Sequence, residues 1–228
     1  MQDFISTRYL DIVSKHKRKI IDVIAREGLT GLIKKAITIV SNYVFKYNKL
    51  VIYELDLRKP LKPVRAKMDL VFRIAQISDI EAMDKGSYNC SDKDKIYLFK
   101  RLEEGDKCIL ALHKERIVGY VWVMKDFMEL SQSHFIHLPK NKTYIYKSWV
   151  LSEYRGQRVL NAIDNHIFAI LKREKEEAVV TTVNITNTAA VKPRERIGFK
   201  RIGHILQFSS FGFMYNHISK KDLAVLLD

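Results

Sequence analysis

The chain has 228 residues, 47% of them hydrophobic and 29% charged, with nine glycines and four prolines. That composition excludes disordered, collagen-like and low-complexity classes, and the length allows one sizeable core with an appendage. Lys and Arg outnumber Asp and Glu by 40 to 26, a net charge of +14 that favours anionic partners such as phosphate-bearing cosubstrates, nucleic acid or anionic lipid without choosing among them. Cys90 and Cys108 have neither a CxxC spacing nor flanking histidine pairs, so two reduced thiols are expected, with no disulfide framework and no metal site. Residues 1–10 carry Asp3 and Arg8 within no continuous apolar run, and no stretch of about 18 uncharged apolar residues occurs. The expectation is a cytoplasmic protein.

Residues 1–47 are helical in period. Leu29, Leu32, Ile33, Ala36, Ile37 and Val40 recur at three- and four-residue steps, with lysines on the other face. Up to residue 69 there are 15 Lys and Arg against 7 Asp and Glu. Such a basic amphipathic segment either packs its apolar stripe on the next domain or lies at an anionic membrane surface or against an acidic acyl carrier protein. A strand is expected at 50–57, followed by a Pro60 and Pro63 linker, so the domain boundary is placed at 66/67. Beyond it the pattern predicts a strand at 70–75, helices from Ser78 and over 92–104, and a hairpin of 108–113 with 116–124. An aperiodic loop covers 129–141 and holds His134 and His137. Strand 143–151, helix 157–174, strand 179–185, helix 188–196 and strands near 200–206 and 212–218 complete an order of β-α-α-β-β-β-α-β-α-β-β.

The chemistry lies where strand 143–151 ends. Trp149-Val150-Leu151 runs through a short turn holding Glu153 into Arg155-Gly156-Gln157-Arg158-Val159-Leu160 and an apolar helix. Free backbone N–H groups at a helix start suit a pyrophosphate, and a glycine lets it approach closely. The next strand ends in Asn187-Thr188-Ala189-Ala190, a capped helix that stops at Ile197-Gly198-Phe199.

With Gly119 in the preceding hairpin, the two motifs resemble those of the GNAT family of acyl-CoA-dependent N-acyltransferases over about residues 70–218. The resemblance implies an α/β fold with a mixed, mostly antiparallel central sheet flanked by helices. It also implies acetyl-CoA or another acyl-CoA as cosubstrate, held by Trp149 to Leu151, Arg155 to Leu160 and Asn187. The acceptor it implies is a small-molecule or peptide amine, attacking the thioester directly while a backbone N–H near Val150 polarises the carbonyl. Glu153, Tyr144, Tyr146, His134 and His137 are candidate bases for that amine. Two departures stand out. Arg158 and Leu160 replace small residues of the pyrophosphate loop, and Arg158 either adds a phosphate contact or fills the site. Arg194 stands where many members carry a tyrosine acid; an arginine does not give up its proton, so electrostatic stabilisation of the thiolate is the role left to it. The alternatives are a non-catalytic module of the same fold and a long-chain acyltransferase served by acyl carrier protein near a membrane. A nucleic-acid role is disfavoured because no helix-turn-helix, zinc or RNA-binding signature is present.

Overall fold

The structure, a computed structural model, describes residues 30–31, 46–61, 63–131, 134–210 and 213–227. Of the expected N-terminal helices only Thr30 and Gly31 fall among these, both helical; the basic amphipathic segment otherwise lies outside the described residues. The chain divides into two units, residues 1–47 with 207–215, and residues 48–206 with 216–228. Everything that follows concerns the second.

The elements in order are β1 (Lys46–Asp56), β2 (Val71–Ile74), α1 (Ile77–Ala82), α2 (Lys85–Tyr88), α3 (Asp92–Glu103), β3 (Lys107–His113), β4 (Arg116–Lys125), β5 (Phe127–Ser131), β6 (His134–His137) and β7 (Lys142–Val150). A 3-10 turn (Ser152–Tyr154) leads to α4 (Val159–Arg173), β8 (Ala178–Asn184), α5 (Thr188–Ile197), β9 (Lys200–Ser210), β10 (Phe213–Ile218) and α6 (Lys220–Leu227). Eight strands form one sheet in the order β10-β9-β1-β8-β7-β4-β3-β2, with β5 and β6 as a separate two-stranded ribbon. The sheet is mostly antiparallel, β7 and β8 being parallel. Among the described residues no helix is long and apolar enough to cross a membrane.

Local chemistry explains most of these elements. The β3–β4 hairpin turns on Lys114 and Glu115, both left-handed at φ 48° and 65°, the twist a two-residue hairpin loop requires. Ser91 and Asp94 form a capping box at the start of α3. In α4, Val159, Ile163, Ile167 and Leu171 recur every four residues and are buried against Ala111, Val121 and Val123 on one face of the sheet. The other face carries Tyr120, Trp122, Tyr144 and Tyr146, which pack with Ile80 and Leu98 of α1 and α3.

Two expectations are corrected. The boundary at 66/67 does not separate an appendage from the domain, because β1 is an inner strand paired antiparallel with β8 from Leu50↔Asn184 to Asp56↔Ala178. Its Val51, Tyr53 and Leu55 are core residues, and the compact unit begins at Asn48. The polar linker after it is tied along α4: Lys172 Nζ donates to Lys59 O, Asn165 Nδ2 to Val64 O, and Lys67 N to Gln157 O. The second correction is the loop at 129–141, most of which belongs to the β5–β6 ribbon, with Met128↔Ile136 and Glu129↔Phe135 as partners. Strands this short show too little alternation to be read from sequence.

Candidate active site

Strands β7 and β8 run side by side only from Lys142↔Ala178 to Ile145↔Thr181. Beyond that β7 is held by β4 alone, while β8 is braced from its other edge by β1. The divergence starts at a bulge. Between the pairs Trp122↔Tyr146 and Tyr120↔Trp149, β7 has two residues, Lys147 and Ser148, against one on β4, and Lys147 is left-handed at φ 40°. Lys147 Nζ reaches Asp94 Oδ1 at 2.9 Å, anchoring the bulge to α3.

The opened strands, α4 and α5 enclose two adjoining cavities. The larger, about 620 Å³, runs from Trp149 and Val150 past Arg155, Gly156 and Arg158 to Asn187. The smaller, about 160 Å³, lies between the diverging strands. Ser148, Leu160, Asn161, Asn187, Ala190 and Pro193 line both.

Backbone donors point into this cleft. Leu151 N donates to Val118 O at 3.0 Å, so Gly119↔Val150 is a non-hydrogen-bonded pair, and the N–H and C=O of Val150 face away from β4. The Val150 carbonyl accepts from Arg155 Nε at 3.2 Å, and the Arg155 guanidinium covers the Trp149 ring at 4.7 Å. Arg158, the N-cap of α4, makes no side-chain capping bond, and the first amide of this helix to find a backbone partner is that of Ala162. The N–H groups of Val159, Leu160 and Asn161 are therefore left for a ligand. Gly156 has φ 77° and Arg158 φ 61°, both in the left-handed region. That conformation explains the preference for glycine at both positions, and at Arg158 a larger residue adopts it at a cost.

The sequence-predicted residues divide clearly. Trp149, Val150, Arg155, Gly156, Arg158, Val159, Leu160 and Asn187 line the larger cavity, and Leu160 borders the cleft rather than filling it. Leu151 and Gln157 do not: Leu151 is buried, and Gln157 turns its carbonyl to Lys67 N. Asn187 caps α5 by accepting from Ala190 N at 3.2 Å. Pro193 inside α5 has no N–H to give Ala189.

The catalytic candidates fare differently. Glu153 sits on the 3-10 turn outside both cavities, ion-paired with Arg116 at 2.8 Å, and backbone hydrogen bonding holds its carboxyl below the usual range, which makes it a weak base. Tyr144 and Tyr146 lie stacked on the far face of the sheet. Tyr144 Oη bonds Thr182 Oγ1 at 2.7 Å, Tyr146 Oη donates to Asp106 Oδ2 at 2.5 Å, and burial raises both phenols well above their ordinary pKa. Neutral phenols engaged in this way are not proton acceptors. His134 and His137 are exposed on β6, away from both cavities. Arg194 does line the smaller cavity but is not a free cation, because its Nη1 lies 2.6 Å from Asp164 Oδ2 of α4.

Two residues that carry chemistry here escaped the sequence reading. Asp164 sits within an apolar helix pattern, and nothing local marks its partner 30 residues away. Glu129 of β5 is half-buried, and burial raises its pKa against the pull of Tyr97, Arg101 and Lys147. On the same side of the sheet, Asp94 is held by Ser91 and Lys147, and Asp106 by Arg101 and Tyr146, whereas Glu129 has no ion-pair partner among the described residues.

The family model of the acetyltransferase (GNAT) family matches residues 74–199, just over half of the chain. A search of curated proteins finds no match. Among solved structures, a GCN5-related N-acetyltransferase from Sphaerobacter thermophilus is similar at TM-score 0.55 and 14% identity, covering 82% of this chain and 58% of its own. A GNAT-family acetyltransferase from Colwellia psychrerythraea aligns at TM-score 0.53 and 13% identity, covering 76% and 57%. A tandem GNAT protein from the clavulanic acid biosynthesis pathway aligns at TM-score 0.53 and 14% identity, covering 79% and 59%. The chain thus spans less than three fifths of each of these structures, and the likeness is one of fold. Taken with the opened β7–β8 pair, the uncapped start of α4 and the family match, the assignment is direct: the chain belongs to the acetyltransferase (GNAT) family.

Proposed function

We propose that the protein is an N-acyltransferase that moves a short acyl group, acetyl in the first instance, from acyl-CoA to an amine by direct attack. The observation that carries this reading is the cleft itself, where an unpaired Val150 N–H and the free amides of Val159, Leu160 and Asn161 open onto one continuous space. These amides, with Arg158 beside them, suit a pyrophosphate, and the left-handed turn at Gly156 leaves open space where a side chain would otherwise stand. The cosubstrate supplies an activated thioester. The chain supplies position and a fixed donor, Val150 N–H, for charge that develops on a carbonyl oxygen. Glu129 is the side chain to which we assign the amine's proton, since it alone of the three carboxylates on that face carries no ion pair.

The smaller cavity favours a short acyl group. It holds about 160 Å³ and is lined by Thr181, Thr182, Asn184, Asp164 and Arg194, which offer a long alkyl chain little apolar surface. The test is thiol release from acetyl-CoA across a panel of amines, alongside thermal stabilisation by acetyl-CoA with ATP and a short duplex as controls. Stabilisation by acetyl-CoA alone supports the reading. No shift with acetyl-CoA or longer acyl-CoAs refutes it, and stabilisation without turnover on any amine points to a binding module.

A further inference from the structure

Asp164 and Arg194 form a buried polar pair on the wall of the smaller cavity, with side chains 1% and 6% exposed. The guanidinium is fixed on two sides, by Asp164 Oδ2 at 2.6 Å and by the Phe199 ring at 5.2 Å. The other carboxylate oxygen, Asp164 Oδ1, is buried and has no hydrogen-bond partner. A contact needed only to join α4 to α5 is made equally well by apolar side chains, whereas an ion pair with an orphaned oxygen is a costly way to do it. The pair therefore presents an unused acceptor beside guanidinium N–H donors. That combination complements a secondary amide, whose N–H and C=O project in opposite directions. It is a poor match for a thiolate or a carboxylate, which would meet the negative Oδ1.

We propose that the Asp164–Arg194 pair is a positioning device that grips an amide of the pantetheine arm of the acyl donor, Asp164 accepting its N–H and Arg194 donating to its carbonyl. The inference rests on the acyl-CoA reading above and adds to it a contact made by side chains, on the helices, rather than by strand backbone. It also gives Arg194 a role in place of proton donation: the residue holds the donor arm and leaves the sulfur to other groups.

The experiment is calorimetric titration of the full chain with two ligands, CoA and adenosine 3′,5′-bisphosphate, which carries the nucleotide but no pantetheine. The variants are Asp164→Asn and the double variant Asp164→Leu with Arg194→Met, the second leaving no unpaired charge in the core. Loss of hydrogen bonds to charged groups predicts that CoA affinity falls about tenfold or more in both, while the bisphosphate binds as to wild type. Equal weakening of both ligands would show that the pair only holds the fold, and unchanged CoA affinity would show that it does not touch the arm; either overturns the proposal. Wild-type protein that binds neither ligand refutes the acyl-CoA reading itself, and the proposal with it.

Discussion

Gly119 tests how the sheet and the cleft depend on one another. A Cβ placed there would lie 3.0 Å from Trp149 O, 3.2 Å from Val159 Cγ1 and 3.3 Å from Ile163 Cδ1. The side-chain carbons of α4 have room to adjust, but the carbonyl belongs to β7, fixed by its pairing with β4. Overpacking of this kind costs about 1–3 kcal/mol. The lower entropy of the unfolded alanine chain returns about 0.4–1 kcal/mol. The net loss for Gly119→Ala is on the order of 1–2 kcal/mol, which for a chain of this size lowers Tm by about 2–8 °C. Since Trp149 precedes Val150, the same substitution displaces the free N–H and weakens acyl-CoA binding. Thermal unfolding with and without acetyl-CoA reads both effects. A variant with wild-type Tm and a wild-type shift on adding acetyl-CoA would refute the packing argument.

Arg158→Gly separates the two readings of the pyrophosphate loop. Removing a left-handed arginine raises stability by up to about 1 kcal/mol, visible as a higher Tm. A CoA affinity that falls and loses part of its salt dependence marks Arg158 as a phosphate contact, whereas one that rises marks it as an obstruction. Glu129→Gln should lower kcat by about 10²-fold or more with little change in CoA affinity, and should remove the acidic limb of the rate profile. That limb lies above the ordinary glutamate range because burial raises the Glu129 pKa, so wild-type activity climbs as pH rises through it; a profile unchanged in the variant excludes Glu129. Asp94, held near pKa 2 by the Ser91 hydroxyl and by Lys147 against an ordinary 3.8, contributes to stability above the unfolded value and loses that contribution as pH falls from about 4 to about 2. Asp94→Asn is therefore expected to cost on the order of 1 kcal/mol at pH 7, after allowance for solvent screening, and to converge on wild type in chemical denaturation at pH 2.

The sequence by itself determined the parts of the site that are local in the chain. The run from Trp149 to Leu160 and the segment from Asn187 to Phe199 each hold a strand end, a turn and a helix start within a dozen residues, where backbone conformation and side-chain chemistry can be read together. The tertiary structure decided what depends on partners far along the chain. β1 reads as a short strand before a linker, yet it braces β8 across about 130 residues, because a pairing edge is chosen by the whole sheet and not by the strand's own pattern. Arg194 reads as a stand-in for an acid, and only the helix crossing that brings Asp164 against it shows a neutralised, buried pair. Glu153 lies beside the strongest motif but faces solvent and Arg116, while Glu129, in a segment read as an aperiodic loop, is half-buried because a short ribbon forms there. The physical reason is the same in each case: burial and charge pairing are properties of position in space, and they set what a carboxylate or a guanidinium can do.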